Sequence, residues 1–456
     1  MTGLATVILN EVKNLLDREV GEMVKLFASA GEVDLKSPVG GWMTGFSARI
    51  KPSVATHDPL MARAVLLDDG ETRLTVVSCD LIGFTPLAGA AMRRRIAAKS
   101  GIPAANIFIC CTHTHSGPAS MPFRGALGHV DNAWLSKAQD KIVELVAGLP
   151  TALAPARMGY SSTRIPDIGY NRQDQSHPID EELFAIAIDG DDGLAIATLV
   201  NYATHAVVLG PSNLAYSGDF PGEAARQIQA LRGGVGLYLQ GACGDVDPLV
   251  YRERGWGSGT FEDTHQIGQR LAEAAAGLLS GALRTDDVCL RVGHKIIQVS
   301  LDPPPSPDAL AALVAGFGAD RERARRESNS VDEQIALAML GWAGELQRAL
   351  QAGAVPQTVP AELFAAGIND LWLVGAPFEA YSDIGLGIKA GFRPGQALFV
   401  GYANGLIGYC PTRWAKDQGG YGADSSARWF SGLLTAIGYG ADELIIREGI
   451  ALAKSL

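Results

Sequence analysis

The chain lacks an excess of positive charge. It contains 38 lysine and arginine residues against 49 aspartate and glutamate residues, and its formal net charge is −11 at pH 7. Phosphate backbones are bound by clustered lysine and arginine side chains, which a strongly acidic protein does not supply. The charge balance therefore excludes a nucleic-acid partner.

Long apolar runs and a secretory leader are also missing from the sequence. No stretch reaches the roughly 20 apolar residues that a membrane-spanning helix needs. The apolar patch at the start of the chain is short and is interrupted by Glu11, Lys13 and Asp17, which is unlike a signal peptide. We expect a cytoplasmic protein with no transmembrane segment, in which residues 1–28 form an N-terminal helical extension.

Cysteine is scarce, with six residues in 456 and no C-x-x-C spacing. Most of the six lie in apolar, strand-like runs, where a free thiol behaves as a small hydrophobic side chain. A disulfide scaffold is thus excluded, and buried reduced thiols are predicted.

Short strand-like runs alternate along the chain with helix-forming segments. Residues 63–69 and 72–80 have the pattern of two strands, 88–100 of a helix and 107–112 of a buried strand. Because the spacing is uneven, we predict an α/β fold with mixed sheets flanked by helices rather than a βα barrel. Residues 29–456 are predicted to form a single domain, with a helical hairpin inserted at 308–352.

The strongest local motif is T-H-T-H-S-G-P at residues 112–118, directly after a predicted strand. In an extended backbone, residues two apart project to the same face, so His113 and His115 are expected to point together. Two imidazoles at the end of a strand make half of a metal site. The alternative is one core histidine beside one surface histidine.

A second histidine ends another strand. The segment N-Y-A-T-H places His205 after an apolar run, and Asp219 follows in S-G-D before a helix. A third imidazole from a separate strand is what a catalytic zinc site requires. Taken alone, His205 is equally consistent with a core histidine satisfied by hydrogen bonds.

Three further segments carry polar groups after strands. The glycine-rich turn at residues 240–248 presents Asp245 and Asp247, which suit a base, a partner for a metal ligand or a helix cap. Glu379 follows an apolar strand, and Tyr409 lies in a glycine-rich loop. These two matter once a metal is suspected.

These five segments, in this order, resemble the neutral (non-lysosomal) ceramidase family, which consists of zinc-dependent amidases that cleave the amide of N-acylsphingosine. The resemblance covers roughly residues 30–450, and T-H-T-H-S-G-P is its most specific part. It implies the ceramidase catalytic-domain fold and a zinc ion. The zinc ligands that it implies are His113, His205, Glu379 and Tyr409. By the same resemblance His115 contacts the ligands or the substrate, and Arg172 lies near the reacting carbonyl.

The chain departs from the family pattern in two ways. Ceramidases read G-D-V-S-P-N where residues 244–249 read G-D-V-D-P-L, so Asp247 replaces the catalytic serine of the family. The resemblance also ends near the end of the catalytic domain, so we expect no C-terminal immunoglobulin-like domain. Both departures favour a small-molecule amide or lipid-like substrate other than classical ceramide.

The expected chemistry is hydrolysis of an N-acyl amide by metal-activated water. His115 and Asp247 are the candidates for base and proton donor, and Arg172 and Tyr409 for stabilising the oxyanion. Asp219 and Asp245 are expected to orient the histidines by accepting their free N–H groups.

Three other functions compete with this interpretation. An amidohydrolase-type barrel also uses H-x-H after a strand, but downstream of His205 only His265 and His294 remain to complete it. A metal-dependent esterase would use the same groups. A non-catalytic family member that binds a metal or ligand is the third, because Asp247 replaces the serine.

Overall fold

The computed structural model describes residues 25–456 of the chain. Most of the predicted N-terminal extension lies outside these residues. Its last two residues, Phe27 and Ala28, begin the first strand instead of a helix. Leu26 and Ala28 are buried (0% and 1% exposed) and Phe27 between them is 37% exposed, which is the two-residue alternation of a strand.

The described residues form eighteen strands and ten helices of more than one turn. The strands are β1 Phe27–Asp34, β2 Ala55–Thr56, β3 Met61–Asp68, β4 Arg73–Cys79, β5 Ile107–Cys111, β6 Ala154–Arg164, β7 Gly169–Asn171, β8 Glu182–Gly190, β9 Ala195–Tyr202, β10 Ala215–Tyr216, β11 Val235–Gln240, β12 Val246–Pro248, β13 Leu290–Ser300, β14 Thr358–Ile368, β15 Leu371–Gly375, β16 Phe378–Ala380, β17 Ala397–Val400 and β18 Gly408–Cys410. The helices are α1 Pro86–Ser100, α2 Asn132–Gly148, α3 Asp219–Arg232, α4 Leu249–Arg254, α5 Phe261–Ser280, α6 Pro307–Arg326, α7 Ser330–Gln351, α8 Ser382–Lys389, α9 Arg413–Gln418 and α10 Ala441–Lys454.

Two large mixed sheets organise the fold. The main sheet has eight strands in the order β11-β9-β8-β6-β1-β3-β4-β5, and only its end pairs β11–β9 and β4–β5 are parallel. The second sheet has four strands in the order β13-β14-β15-β17. The pairs β10–β2, β12–β7 and β16–β18 form short separate ladders. The prediction of mixed sheets flanked by helices is confirmed.

A shared apolar core lies between the two large sheets. Phe108 of β5 and Phe364 of β14 meet there, with ring centroids 4.7 Å apart. Neighbouring residues of the same strand, such as Leu363, face helices on the other side. Strands covered on both faces read as continuous apolar runs, which explains the strand pattern of the sequence.

The inserted helical hairpin is present as α6 and α7. The Ser306 hydroxyl accepts from the backbone N–H of Ala309 at the start of α6, and the Asn329 side chain caps α7 in the same way through Asp332. The hairpin was thus readable from its helix formers and its capping residues. Of the helices between residues 25 and 456, none is long and apolar enough to cross a membrane.

The two end strands of the main sheet approach each other without pairing. Ser78 on β4 donates through Oγ to the carbonyl oxygen of Tyr238 on β11 (2.5 Å). The side-chain amide of Gln240, at the end of β11, donates to the carbonyls of Thr112 (3.1 Å) and Thr204 (2.9 Å). The strands between residues 25 and 456 therefore form no closed barrel, yet the segments after β5, β9 and β11 meet at one point.

Candidate functional site

The imidazoles of His113 and His115 converge, as the motif predicts. Their Nε2 atoms lie 3.2 Å apart. The predicted reason is wrong, because the backbone is not extended here: His113 has φ 63, in the left-handed region that a non-glycine residue occupies at a cost of about 1–3 kcal/mol. Its N–H donates to the Leu81 carbonyl (3.0 Å), and its ring stacks on Tyr402 with centroids 4.1 Å apart.

His205 brings a third imidazole from the other end of the main sheet. Its Nε2 atom lies 3.1 Å from that of His113. The backbone N–H of His205 donates to the Val246 carbonyl (3.0 Å), which ties it to the glycine-rich turn after β11. All three histidines are buried. The sequence therefore brings together imidazoles that are 92 residues apart in the chain.

Glu379 adds a carboxylate to the three imidazoles. Its Oε2 atom lies 3.2 Å from Nε2 of His113 and 3.4 Å from Nε2 of His205. Among the described residues no donor forms a hydrogen bond with this buried oxygen. Glu379 and Tyr409 are paired residues in the parallel ladder β16–β18, so both side chains reach the same small cavity.

The hydrogen bonds of two histidines fix their tautomers. Nδ1–H of His113 donates to the carbonyl of Ile82 (2.7 Å), and Nδ1–H of His205 donates to that of Cys243 (2.9 Å). A carbonyl can only accept, so each Nδ1 carries the proton and each Nε2 of a neutral ring carries a lone pair. Burial and the neighbouring imidazoles hold the pKa values of His205 and His115 well below their usual range.

This donor set fits a metal ion. Lone pairs about 3 Å apart, facing a buried carboxylate, repel one another unless a cation lies between them. Nitrogen ligands at the usual zinc distance of about 2.0–2.1 Å stand roughly 3.3 Å from each other in a tetrahedron. We call the group formed by His113, His115, His205 and Glu379 the metal centre.

Arg172 and Asp247 lie together beside the metal centre. The guanidinium of Arg172 donates to Asp247 Oδ1 (3.3 Å), to the Gly244 carbonyl (2.6 Å) and to the Tyr409 hydroxyl (3.1 Å). Burial raises the pKa of Asp247, and the charge of Arg172 opposes that shift. Burial and the charge of Glu379 raise the pKa of Tyr409 well above its usual value.

A cleft of about 1010 Å³ opens beside the metal centre and the Arg172–Asp247 pair. His115, Arg172, Asp247 and Tyr409 line it, together with polar and aromatic side chains from several loops. Six of the seven predicted site residues other than Asp219 and Asp245 thus line the cleft or the small cavity beside it, and the seventh, His205, lies buried against His113. A substrate in the cleft reaches both the metal centre and the Arg172–Asp247 pair.

Asp219 and Asp245 do not have the predicted role, because the histidine N–H groups donate to main-chain carbonyls. Asp219 accepts from the backbone N–H groups of Leu209 and Phe220. Asp245 accepts from Asn171 and from the backbone and hydroxyl of Ser382. Burial raises the pKa of Asp219 to about 7 and that of Asp245 to about 6. Both acids hold loops together around the site.

Gln240 is a positioning residue that the motifs did not single out. Its amide donates to the carbonyls of Thr112 and Thr204. Thr112 directly precedes His113, and Thr204 directly precedes His205. This side chain therefore joins the two strand ends, together with the hydrogen bond from His115 N–H to the Ala206 carbonyl (3.2 Å). A polar residue at the end of an apolar strand was the only signal in the sequence.

We expect Gln240→Leu to weaken metal binding about 10–100-fold, because the two histidine-bearing segments lose their shared donor. Two buried carbonyls also lose a partner, which lowers the free energy of unfolding by about 1–3 kcal/mol each. Metal affinity is measured by competition with a chromophoric chelator, and stability by denaturant unfolding. Gln240→Met keeps the length of the side chain and has no donor, so it should behave like Gln240→Leu; retention of full affinity by the Met variant would contradict the donor role. Gln266→Leu, on the surface of α5, is the control.

The protein has a mixed-sheet α/β fold. Its candidate site is a buried cluster of three histidines and one carboxylate that lies where the ends of the main sheet meet. No family model matches the chain. It is 24% identical to the neutral ceramidase of Pseudomonas aeruginosa, with 81% of this chain covered, and it spans 64% of the length of that relative.

Two solved structures have the same fold. The crystal structure of neutral ceramidase from Pseudomonas aeruginosa superposes with a TM-score of 0.70 at 18% identity, covering 95% of this chain and 75% of the other. A ceramidase complexed with C2 gives 0.69 at 18% identity, covering 95% and 76%. The resemblance predicted from the motifs is confirmed: this chain is similar in sequence to a neutral ceramidase and has the fold of two solved ceramidase structures. The amidohydrolase-type barrel is excluded: within residues 25–456 the sheet is open, and His265 lies on the surface of α5 beside Glu223.

Proposed function

We propose that this protein is a zinc-dependent hydrolase that cleaves an N-acyl amide other than classical ceramide. The observation that carries the proposal is the metal centre itself, in which Nε2 of His113 lies 3.1–3.2 Å from Nε2 of His205, Nε2 of His115 and Oε2 of Glu379. Nitrogen and carboxylate ligands suit zinc. The similarity to a neutral ceramidase supports amide cleavage as the reaction.

His113, His205 and Glu379 would hold the metal, and the resemblance adds Tyr409 to them. When bound, zinc supplies Lewis acidity that polarises an amide carbonyl and acidifies water. The guanidinium of Arg172, fixed by Gly244 and Asp247, points a positive charge at the same part of the cleft. A developing oxyanion is stabilised by such a fixed donor without reorganisation of the site.

His115 differs from the other two histidines in the surroundings of its Nδ1 atom. Its Nδ1 atom is buried and has no hydrogen-bond partner among the described residues, so no carbonyl fixes its tautomer. A ring whose proton is not held by the protein can accept a proton at the metal centre. We therefore assign the base to His115 and the holding of the metal to the histidines with fixed tautomers.

Asp247 is assigned the proton donor for the leaving nitrogen. Burial raises its pKa, so it keeps its proton to a higher pH than an ordinary aspartate. The carboxyl lies at the wall of the cleft, where the departing amine is released. Asp247 stands at the position where the family pattern has a serine.

The proposal is tested by metal analysis of the purified protein together with hydrolysis of N-acyl amides and matched esters. We expect about one zinc per chain and cleavage of an amide. We also expect activity to disappear on treatment with a chelator and to return with zinc. A protein that carries no metal and cannot be reconstituted contradicts the metal centre. Zinc without hydrolysis of any amide or ester favours the ligand-binding alternative, and cleavage of esters alone favours the esterase.

A further inference from the structure

A second, much smaller cavity lies directly against the metal centre. Its volume is about 30 Å³, against about 1010 Å³ for the cleft. A single water molecule needs roughly 10–15 Å³ by the same measure, so this cavity admits two groups of that size. Its polar side is formed by His113, His115, Glu379 and Tyr409. Part of the space is therefore used by the metal, and one small group fits in the rest.

The other side of the small cavity is apolar. It is formed mainly by Ile82, Phe123, Leu127, Trp429 and Phe430, of which all but Phe123 are less than 9% exposed, and Gly45 and the half-exposed Tyr421 complete the lining. Apolar walls accept a hydrocarbon group and offer no partner for an amine or a hydroxyl. The cavity is thus suited to a methyl or ethyl group that is attached to an atom at the metal.

The apolar wall is held rigidly by one buried arginine. Arg124 donates to the Phe430 carbonyl (2.6 Å), and its backbone N–H donates to the Trp429 carbonyl (2.8 Å). The same guanidinium forms two hydrogen bonds with Glu345 of α7 (3.0 and 2.6 Å). The inserted hairpin therefore fixes the two segments that form this wall. These hydrogen bonds oppose displacement of Trp429 and Phe430 by a longer acyl chain.

The direction of the substrate follows from the position of the proton donor. Hydrolysis protonates the leaving nitrogen, and Asp247 lines the large cleft but not the small cavity. The amine side of the amide must then lie in the cleft. With the carbonyl at the metal centre, the acyl side is left for the small apolar cavity.

Building on the proposed function, we infer that the substrate is a short-chain N-acyl amide, acetyl or propanoyl, of a polar amine. The cleft that receives the amine carries hydrogen-bonding groups from Ser47, Tyr170, Gln175 and Gln418, and indole rings from Trp256 and Trp414. Such a lining suits a hydroxylated amine better than a long hydrocarbon chain.

The inference is tested with zinc-loaded protein and acetyl, butanoyl, hexanoyl and palmitoyl amides of one amine, glucosamine. We expect the highest kcat/KM for the acetyl amide and a fall of about 10-fold or more for each two-carbon extension, because the cavity cannot expand. Binding of the carboxylate products, measured by calorimetry, should follow the same order, with acetate bound more tightly than hexanoate.

Leu127→Ala enlarges the cavity and should raise kcat/KM for the butanoyl amide relative to acetyl about 10-fold. Glu345→Gln loosens the Arg124 bridge without touching the cavity, and it should shift the same ratio in the same direction. Leu279→Ala removes an equally buried leucine from α5 and should leave the ratio unchanged.

The outcomes separate this inference from the proposed function. Faster cleavage of the palmitoyl than of the acetyl amide, with zinc bound, overturns the short-chain inference and leaves the hydrolase intact. Absence of cleavage for every amide, with zinc bound, removes the proposed function and the inference with it. A ratio that moves equally in Leu127→Ala and Leu279→Ala shows a general loss of packing and overturns the role of the wall.

Discussion

Replacing His113 with asparagine is expected to abolish metal binding and lower amidase activity by about 1000-fold or more, since several kcal/mol of transition-state stabilisation are lost. His113 is central to the site, because its Nε2 atom lies within 3.2 Å of Nε2 of His115, Nε2 of His205 and Oε2 of Glu379. Asparagine is chosen because it tolerates the left-handed backbone at φ 63, so the variant removes the imidazole and keeps the turn. Zinc content and steady-state kinetics are measured together.

Thermal unfolding with and without a chelator distinguishes loss of the metal from loss of the fold. The parent protein should unfold at a lower temperature after chelation, since a metal that binds only the folded state stabilises it. The variant, having no metal to lose, should show no shift. His265→Asn, a surface histidine beside Glu223, is the matched control and should keep both zinc and the shift. A His113→Asn protein with a full complement of zinc would contradict the metal centre.

Asp247→Asn is expected to lower kcat about 100- to 10,000-fold while zinc content stays at the parent level. Asparagine preserves the size of the side chain and its hydrogen bond from Arg172 (3.3 Å in the parent), but it cannot give up a proton. Metal binding should survive, because none of the imidazoles contacts this carboxyl group. Activity and zinc content measured on the same preparation check the prediction.

The pH profile tests the role of Asp247 more sharply. Burial raises its pKa, so the proton-donating form persists to higher pH than for an ordinary aspartate and is lost as the pH rises through that pKa. The activity of the parent should therefore fall on the alkaline side of the profile, and this fall should vanish in Asp247→Asn. An unchanged alkaline limb in the variant would remove Asp247 from the proton-donor role. Asp263→Asn, at the capping box of α5, is the control.

The fold was largely predictable because its signals are local. The strand before T-H-T-H, the capped helices and the helix formers of the hairpin each depend on neighbouring residues, and the structure has these elements. The start of β1 was missed because a strand and the end of an amphipathic helix look alike over a few apolar residues. The strand conformation at Leu26 and Ala28 is determined only by the packing that buries these side chains.

The site was predictable as a set of residues but not as a set of contacts. Motifs at strand ends named the groups, although β5 and β9 lie toward opposite ends of the main sheet and only the fold brings their ends together. The partners of Nδ1 of His113 and His205 are main-chain carbonyls, and since every residue has a carbonyl, the sequence does not show which one accepts. For this reason Asp219 and Asp245 were given contacts that Ile82 and Cys243 make. Gln240 was missed because its two acceptors are brought together only by the curvature of the main sheet.

The meeting of β5 and β11 without strand pairing makes the metal centre a cross-link. An ion there would join chain segments around residues 113, 205 and 379, which are otherwise connected through the Gln240 amide, through backbone hydrogen bonds such as that from His115 N–H to the Ala206 carbonyl (3.2 Å), and through packed side chains. A cross-link between distant segments acts on the whole molecule: at a free metal concentration 100 times the dissociation constant, it adds about 2.7 kcal/mol to the free energy of unfolding. The thermal stability of this protein would then report the zinc concentration of its surroundings, and starvation for zinc would deplete the folded protein as well as its activity.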